Sequence, residues 1–250
     1  MSPEKKETSQ TSDRALAVLN LFADHEELGI TEIAQEMGLG KATASRLVAS
    51  LTNSDFLQQN PVTKKYRLGY RLVYLGDIAK ERSAVPGGVL PLADALARSH
   101  QVSVTIMSME GDECRILHKC EAGQTVNRTA RTGALIPAYA TASGKLMLAF
   151  SSKERQEEYL ASTRLLPFTA RTFTSPDTLR QEFARIRERG YAEDNEESAI
   201  GLCCVSVPLI RKGERVIMTI SVNAATSLMQ EHEEEYRQAL LSLAARVSGA

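Results

Sequence analysis

Ile30-Thr31-Glu32-Ile33-Ala34-Gln35-Glu36-Met37-Gly38-Leu39-Gly40-Lys41-Ala42-Thr43-Ala44-Ser45-Arg46-Leu47-Val48-Ala49-Ser50-Leu51 decides the fold of the first third of this 250-residue chain. Ile33, Ala34 and Met37 form one apolar stripe that stops at Gly38, the residue that most easily takes the left-handed conformation ending a helix. Thr31 is the expected N-cap of that helix. Ala44, Leu47, Val48 and Leu51 then recur at three and four residues, the buried face of a second helix that follows almost at once. Upstream, Ala15, Val18, Leu19 and Phe22 stripe another helix. Downstream, Phe56 to Gln59 and Lys64 to Leu68 flank an Asn60-Pro61 turn and read as a hairpin. Three helices and a basic hairpin make a winged helix-turn-helix.

The outward side of the third helix carries Lys41, Ala42, Thr43, Ser45, Arg46 and Ala49, hydrogen-bond donors interleaved with small side chains. A helix that enters the major groove needs this combination of donors without bulk. Arg46 suits either a guanine edge or a phosphate, and Lys41 a phosphate. The chain as a whole holds 30 Lys plus Arg against 31 Asp plus Glu, so no global charge marks a nucleic-acid partner. The local distribution does. From Gly38 to Asp77, Lys41, Arg46, Lys64, Lys65, Arg67 and Arg71 face only Asp55 and Asp77, whereas residues 1–37 are net acidic. We therefore expect Lys64, Lys65 and Arg67 of the wing to meet DNA phosphates, with the acidic part turned away.

A helical pattern through Leu72, Leu75, Ile78 and Ala79 leads to Val85-Pro86-Gly87-Gly88, the expected boundary. This divides the chain into a winged helix-turn-helix at 1–69, a linker helix and hinge at 70–88, and a second domain at 89–250. Residues 1 to about 10 read as loose. Beyond Pro91 the apolar pattern alternates along Val102 to Ile106 and continues with Arg115 to Cys120, Leu202 to Leu209 and Val216 to Val222. Helices are expected near Leu92, from Ser175-Pro176 to Gly190, and through Tyr236, Leu240, Leu243 and Val247. Mixed strands and helices indicate an α+β domain.

Small polar groups line one face of two of those strands: Cys204 and Ser206 on one, Thr219, Ser221 and Asn223 on the other. With a two-residue turn at Lys212-Gly213, Cys204 would lie opposite Ser221 and Ser206 opposite Thr219. Ala142-Ser143-Gly144 starts a helix whose first amides can receive a carboxylate at the positive end of the helix dipole. Asp194 would then accept from a ligand hydroxyl, so a hydroxy- or keto-acid fits.

Other chemistries match less well. Gly144-Lys145 lacks the phosphate-loop spacing, since Tyr139 stands where the first glycine belongs and Leu146 where Ser or Thr would hold magnesium. A nucleophilic Cys204 with His118 or His232 as base has no flanking motif and is the alternative reading, as an enzyme. Cys114, His118 and Cys120 could bind zinc only if they share one side of a strand. No cofactor or metal is expected. No apolar run is long enough for a membrane helix and the N-terminus lacks a secretory core, so a cytoplasmic protein without membrane association is expected.

The chain resembles the IclR family of bacterial transcriptional regulators along nearly its full length. The resemblance rests on Asp13-Arg14-Ala15-Leu16, Ile30-Thr31-Glu32-Ile33-Ala34, Gly40-Lys41-Ala42-Thr43-Ala44-Ser45-Arg46-Leu47 and Tyr66-Arg67-Leu68-Gly69. Further on it rests on Thr141-Ala142-Ser143-Gly144-Lys145, Arg187-Glu188-Arg189-Gly190-Tyr191-Ala192 and Asp194-Asn195-Glu196-Glu197, followed by Gly201, Cys204 and Pro208. It implies a GAF-like effector-binding domain joined by a helix to the DNA-binding domain, a double-stranded operator, a small organic acid effector, and homodimers that pair into homotetramers. It places the effector site on Ala142, Ser143, Asp194, Cys204, Ser221 and Asn223. Ser143 stands where alanine is frequent and Asn223 where serine is frequent, which adds hydrogen-bonding capacity to the pocket.

Overall fold

The computed structural model describes residues 9–81, 85, 86, 88–122 and 130–248, and the chain separates into two compact units, Met1–Ser83 and Ala84–Ala250. The segment expected to be loose lies mostly outside the described residues, as do parts of the hinge.

In the first unit, α1 (Gln10–Leu21), α2 (Ile30–Glu36) and α3 (Lys41–Asn53) precede β1 (Leu57–Gln59), β2 (Tyr66–Leu68) and α4 (Tyr70–Glu81). Ala44, Leu47, Val48 and Leu51 are the buried residues of α3, as their spacing predicts. They pack with Val18, Ile33, Ala34 and Leu57 in one core. Gly38 takes φ +60°, and Leu39 N donates to Ala34 O at 2.8 Å, which closes α2 and turns the chain into α3. The cap of α2 differs from expectation. Gly29 is the N-cap, its amide donates to Glu32 Oε2 at 2.6 Å, and Thr31 sits exposed inside the first turn. Leu28 adds a bridge to Tyr66, so the wing is fastened to the segment before α2.

The second unit is built on a six-stranded antiparallel sheet of order β5-β4-β3-β8-β7-β6. Its strands are β3 (Ser103–Glu110), β4 (Glu113–Glu121), β5 (Leu135–Pro137), β6 (Ala192–Asn195), β7 (Leu202–Lys212) and β8 (Arg215–Ala225). The apolar residues Val104, Ile106, Val205, Val207, Ile220 and Val222 pack under α5 (Val89–His100) and α9 (Thr226–Ser248). The other face packs against α6 (Ala142–Ala149), and α7 (Lys153–Ser162) and α8 (Pro176–Arg189) pack in turn against α6. Ser175 caps α8 with Pro176 at its first position, and Gly190 ends it at φ +82°. The alternation reading passes over β5, α7 and β6, two of them strands of three and four residues.

The β7–β8 turn is Gly213-Glu214 rather than Lys212-Gly213, because Lys212 pairs with Arg215. Moving the turn by one residue moves every cross-strand pair by two, so the pairs change while each side chain keeps its face. Cys204 therefore lies opposite Asn223 and Ser206 opposite Ser221. Leu209 on β7 and Ile217 on β8 are each skipped in the pairing, and the two bulges cancel.

Candidate functional site

On α3, Lys41, Ala42, Arg46 and Ala49 are exposed, and Thr43 and Ser45 are half-buried beside them. Among the described residues Lys41, Arg46 and Lys64 have no ion pair. The wing loop is tied by Asn60, whose Oδ1 accepts from Val62 N and Thr63 N, while Lys64 takes φ +58° at the tip. The acidic segment does not turn away from this wing. Glu27 accepts from Asn60 Nδ2 at 2.6 Å and Thr63 Oγ1 at 2.8 Å, and these hydrogen bonds hold its carboxyl below its ordinary range. Glu32 pairs with Lys65 at 2.8 Å. Lys65 and the Gly29 amide hold the Glu32 carboxyl down as well. Lys65 thus fastens the wing to α2, and Arg67 reaches Gln58 Oε1 at 3.3 Å.

In the second unit the strand registers align polar side chains in two rows across one sheet face. The first runs Lys119–Thr105–Ser221–Ser206 over β4, β3, β8 and β7, and the second runs Glu121–Ser103–Asn223–Cys204–Asp194 and ends on β6. Members of both rows line a partly open cavity, together with Met107, Ile116, Ala142 and Ser143. Thr105 Oγ1 and Ser221 Oγ are 2.7 Å apart, Asn223 Nδ2 donates to Thr105 Oγ1 at 3.0 Å, and Cys204 Sγ donates to Asn223 Oδ1 at 3.0 Å. Ser143 Oγ lies 3.1 Å from Ser206 Oγ. These mutual bonds matter because an unpaired buried polar group costs about 1–3 kcal/mol. They also engage the extra capacity of Ser143 and Asn223 internally.

Helix α6 has Thr141 as its N-cap, with Oγ1 accepting from Gly144 N at 3.1 Å. The Gly144 amide is therefore not available to a ligand, whereas those of Ala142 and Ser143 precede the first intrahelical donor. Gly144 does not line the cavity. A Cβ there would collide with the backbone of Ala138, so the glycine serves the close approach of α6 to residues 138–140.

Asp194 is buried, and both its oxygens are used: Oδ1 accepts from Glu197 N at 2.7 Å, and Oδ2 accepts from Ser198 Oγ at 2.6 Å. It shapes the loop after β6 as well as lining the cavity. Behind that loop Lys145 Nζ contacts both carboxylate oxygens of Glu197, under the ring of Phe173 at 4.8 Å. Burial pushes the Asp194 carboxyl up, and it pushes Glu197 up to about 7.

Of the residues singled out from sequence, Ala142, Ser143, Asp194, Cys204, Ser221 and Asn223 share the cavity and Gly144 does not. Sequence reading missed Ser103, Thr105 and Lys119. The first two lie in the alternating segment already read as a strand, so their parity with Val104 and Ile106 was the available signal. The zinc idea fails on geometry: Cys114 packs among the residues beneath α6, whereas His118 Nε2 lies 2.9 Å from Asp94 beside α5. Among the described residues no cluster of three His, Cys, Asp or Glu is arranged to hold a metal. Cys204 has no histidine base beside it among the described residues, and burial raises its thiol well above the ordinary range, the opposite of an activated nucleophile. No helix among the described residues is long and apolar enough to cross a membrane.

Residues 85–249 match the bacterial transcriptional regulator IclR C-terminal domain, and residues 11–61 match the IclR helix-turn-helix domain. The chain is 32% identical over 240 residues to the HTH-type transcriptional regulator XynR of Escherichia coli, covering 94% of this chain and 95% of that protein. The crystal structure of Thermotoga maritima IclR superposes with a TM-score of 0.79 at 26% identity, covering 95% of this chain and 98% of that one. An IclR homolog from Microbacterium hydrocarbonoxydans, complexed with 4-hydroxybenzoate, shares the fold at a TM-score of 0.78 and 23% identity, over 96% of this chain and 100% of that one. With helix-turn-helix and ligand-binding domains both matched, and with relatives named as regulators rather than enzymes, the chain belongs to the IclR family of DNA-binding bacterial transcriptional regulators.

Proposed function

We propose that this regulator senses a small organic acid, a hydroxy- or keto-acid, in the cavity between α6 and the polar face of the sheet, and that the ligand changes its affinity for a double-stranded operator. The observation that carries this reading is the pairing of two features around one cavity: the leading amides of α6, at the positive end of its dipole, and the row of hydroxyl, amide and thiol groups facing them. The amides of Ala142 and Ser143 suit a carboxylate. Ser221, Asn223, Cys204 and Thr105 suit a hydroxyl or keto oxygen.

On DNA, Lys41, Ala42, Thr43, Ser45 and Arg46 form the reading face, and Lys64, Lys65 and Arg67 the wing, with Lys65 contributing least because Glu32 already neutralises it. A homodimer, or a homotetramer of such dimers, presents paired recognition helices to half-sites one helical turn or a multiple apart. Tyr70, Val73 and Tyr74 of α4 are 78%, 57% and 56% exposed, an apolar row suited to cover by a second copy. We assign 1–69 to DNA binding, 70–88 to the linker and 89–250 to a GAF-like effector domain, in a cytoplasmic protein without cofactor. A thermal-shift panel of small hydroxy- and keto-acids, with 4-hydroxybenzoate included, tests the ligand class. An acid at 100 times its Kd adds about 2.7 kcal/mol of stability, and the absence of any shift across the panel refutes the reading.

A further inference from the structure

Ala130, Ile136 and Ser198 form one rim of the effector cavity, and the same three residues border a neighbouring groove walled by Ala134, Leu135, Pro137 and Phe168. The groove therefore begins where the cavity ends. Its character is different. Among the described residues no charged side chain lines it, and its one hydroxyl, that of Ser198, already donates to Asp194 Oδ2 at 2.6 Å. Ile136 is the middle residue of β5, paired with Cys114, and Ser198 lies in the loop after β6. The edge strand and that loop thus form the neck between a polar chamber and an apolar one.

Phe168 is 50% exposed and Leu135 40%. A single exposed apolar side chain is ordinary, but Phe168 is held in place from two sides. Its amide and that of Thr169 donate to Thr172 Oγ1 at 3.0 and 2.9 Å, and Thr172 Oγ1 donates to Glu197 O at 2.6 Å. Its ring stacks on that of Tyr139 at 6.0 Å with the planes 24° apart, and the Tyr139 hydroxyl donates to Leu166 O and accepts from Leu166 N. The loop that carries Ser198 at the neck therefore also fixes the segment that carries the phenyl ring. Apolar surface fixed in advance loses little freedom when a ligand covers it, so its burial converts efficiently into affinity.

We propose that the effector carries an apolar arm the size of an aromatic ring, which leaves the cavity between Ile136 and Ser198 and lies on Phe168, and that Phe168 selects such acids over short ones. This rests on the acid-sensing reading above and deepens it. The carboxylate stays at the leading amides of α6 and the hydroxyl or keto oxygen on the polar rows, so the substituent beyond that oxygen is the part that reaches the groove. Head-group recognition and length selection then belong to different residues.

Calorimetric titration of the full-length protein with acids that share a head and differ in the arm tests this: lactate against 3-phenyllactate, and pyruvate against phenylpyruvate. The aryl acids should bind the wild type about ten- to a hundredfold tighter than their short partners, the range for burying a ring of this size. Phe168→Ala should remove about two- to tenfold of that gain and leave lactate and pyruvate unchanged, which separates loss of the groove from a folding defect. Phe168→Leu, which keeps an apolar surface, should retain more of the gain than Phe168→Ala. Short acids that bind as tightly as their aryl partners, aryl affinity unchanged in Phe168→Ala, or equal loss for both members of a pair overturns the proposal while the acid-sensing reading stands. If none of the acids binds the wild type, that reading fails and the proposal falls with it.

Discussion

Lys145 Nζ rests against both carboxylate oxygens of Glu197, and neither residue is more than 5% exposed. The pair ties α6, whose first turn forms one wall of the cavity, to the loop between β6 and β7 that forms another. Thr172 Oγ1 adds a bond to Glu197 O at 2.6 Å. Removing the cation would leave a carboxylate buried beside Asp194. Lys145→Met should therefore lower the unfolding free energy by about 3–5 kcal/mol, and Lys145→Met combined with Glu197→Leu should recover much of that. Denaturant unfolding monitored by circular dichroism measures both, and a single variant as stable as the wild type would contradict the pairing.

The same burial gives a pH signature. Glu197 titrates near its ordinary 4.5 in the unfolded chain and is pushed up to about 7 in the fold, with Asp194 raised in the same sense. Between these values the folded state holds more protons than the unfolded one, so this contribution is fully present below about pH 4.5 and is lost as pH rises through about 7. The sign is opposite to that of half-buried carboxyls such as Glu27 and Glu32, whose lowered values favour folding as pH rises through the ordinary carboxyl range. Comparing wild type with Glu197→Gln cancels those other groups. The difference in stability should shift in the wild type's disfavour from about pH 5 to about pH 7.5, and parallel profiles would contradict it.

On the DNA side, charge already engaged within the protein should count for less than charge left open. Arg46→Ala and Lys41→Ala should each weaken operator binding, and removing one phosphate partner should reduce the salt slope by about 1. A base contact by Arg46 would cost about 1–3 kcal/mol and relax specificity at one position. Lys65→Ala should cost less operator affinity than either and should lower stability slightly through Glu32. Fluorescence anisotropy on an operator duplex over a range of salt ranks the three, and a Lys65 effect equal to that of Arg46 would be inconsistent with this ranking.

Asp194 needs a conservative test, because its carboxylate holds Glu197 N and Ser198 as well as lining the cavity. Asp194→Asn retains an acceptor for the amide and a partner for the Ser198 hydroxyl, so stability should change by less than about 1 kcal/mol while ligand affinity shifts. Asp194→Ala should lose both loop and ligand, at about 1–3 kcal/mol of stability. Thermal unfolding beside calorimetric titration separates them, and equal stability of the two variants would remove the loop role.

Much of this is legible in the order of the amino acids. The three- and four-residue spacing of Ala44, Leu47, Val48 and Leu51 survives as the buried face of α3, because a helix's periodicity depends only on its own residues. The faces of β7 and β8 are legible for a related reason: parity is local, so Cys204 and Ser221 stay on the cavity side although the turn and the pairs moved. What sequence spacing hides is set by tertiary context. Lys65 reads as an open cation until the fold brings Glu32 beside it, and the hold of Asp194 on Glu197 N and the Ser198 hydroxyl exists only once the turn after β6 has formed. Lys119 is hidden by the bulge at Leu117, since regular alternation with Ile116 would turn it out of the cavity.

The central claim is that a ligand in the sheet cavity and an operator on α3 are thermodynamically coupled. The direct measurement is a linkage cycle on the full-length protein: the Kd of the acid found by thermal shift with and without saturating operator, and the Kd of the operator with and without saturating acid. Both ratios should equal one coupling factor, between about 5 and 150, and Arg46→Ala should weaken operator binding with the ligand Kd unchanged. Ratios of one in both directions, with ligand and DNA each binding normally, would contradict the account.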